Sequence, residues 1–220
     1  MPLSNSELCR LYLISPPTFD LDDFSGQLSL ALKAGDVACL QLRLKGASDS
    51  AIRTASARLI PICKDHGVAF VINDRPDLAT DVGADGVHIG IDDVSYEKTR
   101  RLVGQDAIVG VSCYNSRHLA MVAGEGGADY IAFGAFFPTT TKQPRVHAKP
   151  ELLTWWHTNT TVPCVAIGGI SVENCGVLVQ AGADFLAVIS GIWSNPDGPG
   201  AAVSTFNEKI KIHSNAVIND

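Results

Sequence analysis

Short apolar runs recur along the chain, each followed by a longer stretch whose apolar positions fall three and four residues apart. Eight runs predict strands, over residues 11–15, 37–42, 69–73, 86–89, 108–112, 130–136, 163–167 and 185–189. They are rich in Val, Ile and Phe and barely alternate with polar residues, the pattern of strands covered on both faces. The intervening periodicity predicts helices, among them 48–66, 95–103, 116–124 and 172–181. Ser48, Ser95, Ser116 and Ser171 stand where a side-chain oxygen can cap a first turn.

A weak internal repeat supports this division. Gly83-Ala84-Asp85, Gly127-Ala128-Asp129 and Gly182-Ala183-Asp184 each lie between a predicted helix and the next strand, with Gly35-Asp36 as a degenerate copy. A glycine there ends the helix in the left-handed conformation and lets the chain turn into a strand. Eight strands alternating with helices in 220 residues is the count of a (β/α)8 TIM barrel, a single α/β domain. The competing architecture, an open doubly wound sheet, usually needs a longer chain, and no G-x-G-x-x-G follows the first strand. The one domain spans 1–220, with 1–10 and 213–220 expected as flexible ends and 204–220 as a last helix that frays.

Composition narrows the functional classes. Hydrophobic residues make up 46% and charged residues 18%, enough to bury a sizeable core and too apolar for a disordered chain. The net charge of -6 and the lack of a long basic run speak against a nucleic-acid or anionic-membrane partner. No stretch is apolar enough to span a bilayer, and the first residues carry no basic-then-apolar leader. Six cysteines without a C-x-x-C pair read as buried, reduced thiols of a cytoplasmic protein. Nothing in the pattern excludes a homo-oligomer.

In such barrels chemistry gathers at the carboxyl ends of the strands. The second strand ends Gln41-Leu42-Arg43-Leu44-Lys45, and its two-residue period puts Gln41, Arg43 and Lys45 on one face, with Leu42 and Leu44 on the other. Two cations inside a barrel mouth call for an anion such as a diphosphate. Asn73-Asp74 ends the third strand, and Asp92-Asp93 follows the fourth. Each carboxylate taken singly fits a turn or cap as well as a metal site. Together, beside Arg43 and Lys45, they fit Mg2+ shared with phosphate oxygens. His88 reads as a hydrogen-bonded core histidine. Ser112 ends the fifth strand, Thr139-Thr140-Thr141-Lys142 follow the sixth, Gly168-Gly169 the seventh and Ile189-Ser190 the eighth. The glycine pair and the predicted helix start after it suit a second phosphate. Two anion sites and a metal site describe a transferase joining two phosphorylated substrates.

These residues, in this order, resemble the thiamine phosphate synthase family from about Leu11 to Ser190. The resemblance implies condensation of hydroxymethylpyrimidine diphosphate with hydroxyethylthiazole phosphate, giving thiamine phosphate and diphosphate. It implies that Gln41, Arg43, Lys45 and Asn73 hold the pyrimidine diphosphate, with contacts added by Ser112 and Lys142. Thr139, Thr141, Gly169, Ile189 and Ser190 would hold the thiazole phosphate, and Asp74 and Asp93 would bind Mg2+. The implied mechanism is dissociative and needs no protein nucleophile. Leu44, Ile91 and Ala135 depart from the family pattern, which has an acid, a Gln and a Pro there.

Three other readings compete. A thiazole tautomerase of the same superfamily would not need Asp74, Asp93, Arg43 or Lys45, and a non-catalytic barrel binding thiamine phosphates would keep ligands without turnover. A phosphosugar isomerase would want a general base at a strand end, where His88 alone stands. Trp155, Trp156 and His157 read as an amphipathic helix packed on the barrel, and Cys113 and Cys164 as small core residues.

Overall fold

The computed structural model describes residues 8–90, 93–139 and 146–218. Its eight parallel strands are β1 (Arg10–Ile14), β2 (Val37–Leu42), β3 (Ala69–Asn73), β4 (Gly86–Ile89), β5 (Ile108–Tyr114), β6 (Tyr130–Gly134), β7 (Cys164–Ile167) and β8 (Phe185–Val188). They pair in chain order and β8 closes on β1, giving a barrel with no free edge. The helices are α1 (Leu21–Ala34), α2 (Asp49–Asp65), α3 (Pro76–Val82), α4 (Tyr96–Val103), α5 (Arg117–Glu125), α6 (Glu151–Asn159), α7 (Cys175–Gln180), α8 (Ser190–Trp193) and α9 (Gly198–Ile218). None is long and apolar enough to cross a membrane.

Because every strand is covered on both faces, burial divides into two cores. Tyr12, Cys39, Val71, Tyr130, Val165 and Phe185 fill the barrel interior. Leu11, Leu40, Phe70, Val109, Phe133 and Leu186 point outward and pack beneath the helices. Odd and even positions of one strand therefore serve different cores, and both must be apolar, which is why the sequence shows runs rather than alternation.

Ser48, Ser95 and Ser116 accept backbone hydrogen bonds from Ala51, Lys98 and Leu119 and cap α2, α4 and α5. Ser171 does not cap a helix. Its amide donates to Asn174 Oδ1 in a turn, and α7 begins only at Cys175. The helix start expected directly after Gly168-Gly169 is thus displaced, because Asn174 ties the intervening residues back onto Gly169 O. Strand β6 ends at Gly134, two residues short of the expected 136, whereas β5 runs on to Tyr114 past a bulge.

Gly83, Gly127 and Gly182 all have positive φ, as the repeat requires, but Gly35 is extended. The aspartates of the repeat have a second role. Asp85, Asp129 and Asp184 accept from the amides of Phe70, Val109 and Cys164, each on the preceding strand. Each carboxylate thereby satisfies an amide at the amino end of one strand from the start of the next. At the degenerate copy Asp36 pairs instead with the Arg10 guanidinium, at 2.6 Å.

The cysteines at 9, 39, 63, 113, 164 and 175 are buried free thiols, and burial pushes Cys113 up to about 12. Trp156 is buried in α6, its indole donating to Val162 O, while Trp155 stacks under Arg117. The expected flexible ends overlap β1 at Arg10 and α9 as far as Ile218; residues 1–7 and 219–220 lie outside the described residues.

Candidate active site

The inward positions at the carboxyl ends of the strands converge on a cavity of about 380 Å³. Ile14, Gln41, Asn73, His88, Ser112, Gly134, Ile167 and Ile189 supply one residue from each strand end in turn. Strand β2 stops at Leu42, yet its alternation continues far enough for Arg43 and Lys45 to enter the same cavity. Leu44 faces away and packs against the outer core.

Cations and carboxylates meet on one side. Lys45 Nζ lies 3.3 Å from Asp74 Oδ2. Asp74 adopts φ 64, a left-handed conformation uncommon for a non-glycine residue, and its amide donates to His88 O. It does not cap α3, whose first residue is Pro76 and whose N-cap is Arg75. Asp93 Oδ2 accepts from the Gly90 amide at 2.8 Å, while Ser95 is the residue that caps α4. Partial desolvation, together with the Asp74 carboxylate beside it, holds the Asp93 carboxyl above its ordinary range. Burial lowers the Arg43 guanidinium and Asp74 opposes that shift; the group stays cationic.

Beneath them the polar side chains bond to one another. Gln41 Nε2 donates to Asn73 Oδ1 at 2.6 Å, and Tyr12 donates to Gln41 Oε1 at 3.1 Å. Tyr12 Oη is 2.8 Å from Tyr130 Oη, which is 3.0 Å from His88 Nδ1. His88 Nε2 is 2.8 Å from Ser112 Oγ. Burial pushes the His88 pKa down to about 4, so the ring is neutral. The reading of His88 as a core histidine holds, and its partners are the site itself.

The opposite side is built from backbone. Gly169 has φ 63, and a Cβ there would collide with Pro138 O. Thr139, Gly168, Gly169, Ile189 and Ser190 all line the cavity. Thr141 and Lys142 lie outside the described residues, as does Ile91.

The sequence profile of the thiamine monophosphate synthase family matches residues 11–192. The chain belongs to that family. A thiamine-phosphate synthase of Rhodospirillum centenum is 62% identical over 203 residues, covering 92% of this chain and 98% of that one. One of Hyphomonas neptunium is 52% identical, covering 90% and 92%. Among solved structures, a thiamine phosphate pyrophosphorylase from Pyrococcus furiosus superposes with TM-score 0.81 at 27% identity, covering 94% of this chain and 97% of that one.

For a member of the thiamine monophosphate synthase family, the cavity holds eleven of the thirteen residues expected from the sequence: Gln41, Arg43, Lys45, Asn73, Asp74, Asp93, Ser112, Thr139, Gly169, Ile189 and Ser190. Tyr114, Val146, Ala132 and Ala187 also line it and were not anticipated. Tyr114 has φ 53 after the β5 bulge, a turn that no local pattern announces. Ala132 and Ala187 carry no chemistry and read as ordinary strand residues. Ala135, the other departure from the family pattern, follows a cis peptide bond, and its carbonyl accepts from the Ala148 amide.

Proposed function

We propose that this chain condenses hydroxymethylpyrimidine diphosphate with hydroxyethylthiazole phosphate, releasing diphosphate and thiamine phosphate. The observation that carries the reading is that one cavity brings together Arg43, Lys45, Asp74 and Asp93 on one side and the close backbone of Gly168 and Gly169 on the other. One side suits a metal-bound diphosphate, and the other suits a monophosphate held by backbone, Thr139 and Ser190. A tautomerase would have no use for the first.

The residues fit Mg2+. Asp74 and Asp93 offer oxygen ligands only; partial desolvation and then the neighbouring Asp74 raise the Asp93 carboxyl, and a divalent cation would favour its charged form. No set of three or more His, Cys, Asp or Glu side chains among the described residues is placed to hold a metal, so water and diphosphate oxygens would complete the shell. When bound, the ion supplies charge neutralisation for the departing diphosphate.

In this scheme Arg43 and Lys45 hold the diphosphate as the carbon–oxygen bond breaks, and Lys142 adds a contact to the pyrimidine substrate. Its bonding electrons leave with the diphosphate, and the pyrimidine-stabilised carbocation is captured by the lone pair of the thiazole nitrogen. Gln41, Asn73 and Ser112 orient the pyrimidine; Thr139, Thr141, Gly169, Ile189 and Ser190 fix the thiazole phosphate. Proximity and charge stabilisation do the catalytic work, and no protein nucleophile takes part. The buried free thiols suit the reducing cytoplasm, where we place the protein.

The test is diphosphate release with both substrates, with Mg2+ and again with EDTA. Release that requires both substrates and the metal is expected. Folded protein that releases none under either condition would overturn the reading.

A further inference from the structure

The floor of the cavity is a single hydrogen-bonded chain crossing the barrel: Asn73, Gln41, Tyr12, Tyr130, His88 and Ser112. Tyr12 and Tyr130 are fully buried, lie outside the cavity lining and are hydrogen-bonded to Gln41 on one side and, through His88, to Ser112 on the other. Such a chain can order its protons in only two ways, and one end decides which. Gln41 Nε2 donates to Asn73 Oδ1, so Gln41 Oε1 is left to accept from Tyr12. Tyr12 has one proton and spends it on Gln41, so its oxygen must accept from Tyr130. Tyr130 has then spent its own proton and can only accept, which places the ring proton of His88 on Nδ1. Bare Nε2 in turn accepts from the Ser112 hydroxyl. The Cys39 thiol also faces Tyr12 but is a weak partner beside an amide oxygen.

We propose that the Tyr12–Tyr130 hydroxyl pair is a positioning device that holds His88 in its Nδ1–H form and so turns Ser112 into a hydrogen-bond acceptor toward the cavity. The ligand group that meets Ser112 must then bring its own proton, as the amino group of a heterocycle does. A phosphate oxygen, which is only an acceptor, is refused there. Asn73, whose Oδ1 is engaged by Gln41, presents its N–H groups instead. This deepens the proposed reading of Ser112 and rests on it, since it assigns the serine to the heterocyclic half of the pyrimidine diphosphate rather than to the diphosphate. Its inner members, Gln41, Tyr12, Tyr130 and His88, are buried and bonded to one another, so the order between the two cavity-facing ends is set within the protein.

The experiment is 15N NMR of histidine-labelled protein without substrate, the His88 signals being assigned by their loss in His88→Asn. Wild type is expected to show a protonated Nδ1 and a bare Nε2. In Tyr12→Phe the Tyr130 proton loses its acceptor, turns to His88 Nδ1, and the ring proton is expected to move to Nε2. Tyr130→Phe, read in the same way should Tyr12→Phe fail to fold, is expected to give the same move. Wild-type His88 protonated at Nε2, or an unchanged tautomer in the folded variant, would overturn the proposal.

Kinetics supply the second readout. Tyr12→Phe is expected to lower kcat/KM for the pyrimidine diphosphate about three- to tenfold, the worth of one hydrogen bond, and to leave inhibition by inorganic diphosphate unchanged. Combined with Ser112→Ala it should add little further loss, whereas a merely structural tyrosine would give additive losses. Weakened diphosphate inhibition or full additivity would count against it. The nitrogen signals need no turnover, so a chain inactive in the condensation would overturn the proposed function while leaving the proton order decided.

Discussion

Gly110 on β5 sits directly opposite Tyr130 on β6, and the phenol ring occupies the space a Cβ at 110 would need. The missing side chain is what lets Tyr130 lie across the barrel and reach both Tyr12 and His88. Gly110→Ala is therefore expected to destabilise the fold by about 2 kcal/mol, as overpacking of a full core does. Urea denaturation measures this, and a stability equal to wild type would show that the ring can move aside.

Asp93 has an exposed side chain that accepts from the Gly90 amide and lies beside the like-charged Asp74 carboxylate, so its removal should barely affect folding. Asp93→Ala is expected to cut Mg2+-dependent turnover by roughly a hundredfold, the scale of a lost group that stabilises transition-state charge, with a stability change under about 1 kcal/mol. Turnover measured across a Mg2+ titration, beside a melting curve, separates the two effects. A variant as active as wild type would remove Asp93 from the metal site.

Arg43 faces the cavity from beyond the end of β2, half-buried beside Asp74. Arg43→Ala should raise KM for the pyrimidine diphosphate about tenfold or more, the loss of a charge-assisted contact, and leave KM for the thiazole phosphate unchanged. Steady-state kinetics with each substrate varied in turn decide this. Equal effects on both substrates would place the guanidinium between the two anions.

His88 is neutral in the fold with a pKa of about 4, against an ordinary value of 6.5. Protonation favours the unfolded chain, so the stability that depends on neutral His88 is complete above pH 6.5 and is lost as the pH falls toward 4. By linkage the loss approaches about 3 kcal/mol at the acid end. Denaturation curves from pH 7 to 4 should show this slope in wild type and lack it in His88→Asn.

The architecture was legible in the chain because each strand needs two apolar faces and each helix one. The apolar run at 37–42, the capped periodicity after Ser48 and the glycine at 83 locate β2, α2 and the end of α3 to within a residue or so. Most of the cavity lining was legible for a related reason. Charged and amide groups such as Arg43, Lys45 and Asn73 are costly to bury unpaired, so at the end of an apolar strand they point to a polar cavity.

Local pattern could not supply what depends on partners far apart in the chain. Tyr12 and Tyr130 look like core aromatics, and only barrel closure brings their hydroxyls together across 118 positions. Asp85, Asp129 and Asp184 read as turn residues until the parallel register sets each beside the amide of the preceding strand. Ser171 has the composition of a cap, but Asn174 takes its amide and moves the helix start to Cys175. Residue type and period determine which face a side chain takes, because those are local constraints on the backbone. Which polar group it meets, and hence where its proton points, is decided by the closure of eight strands on one another, since only that closure brings groups from different strands within hydrogen-bonding distance.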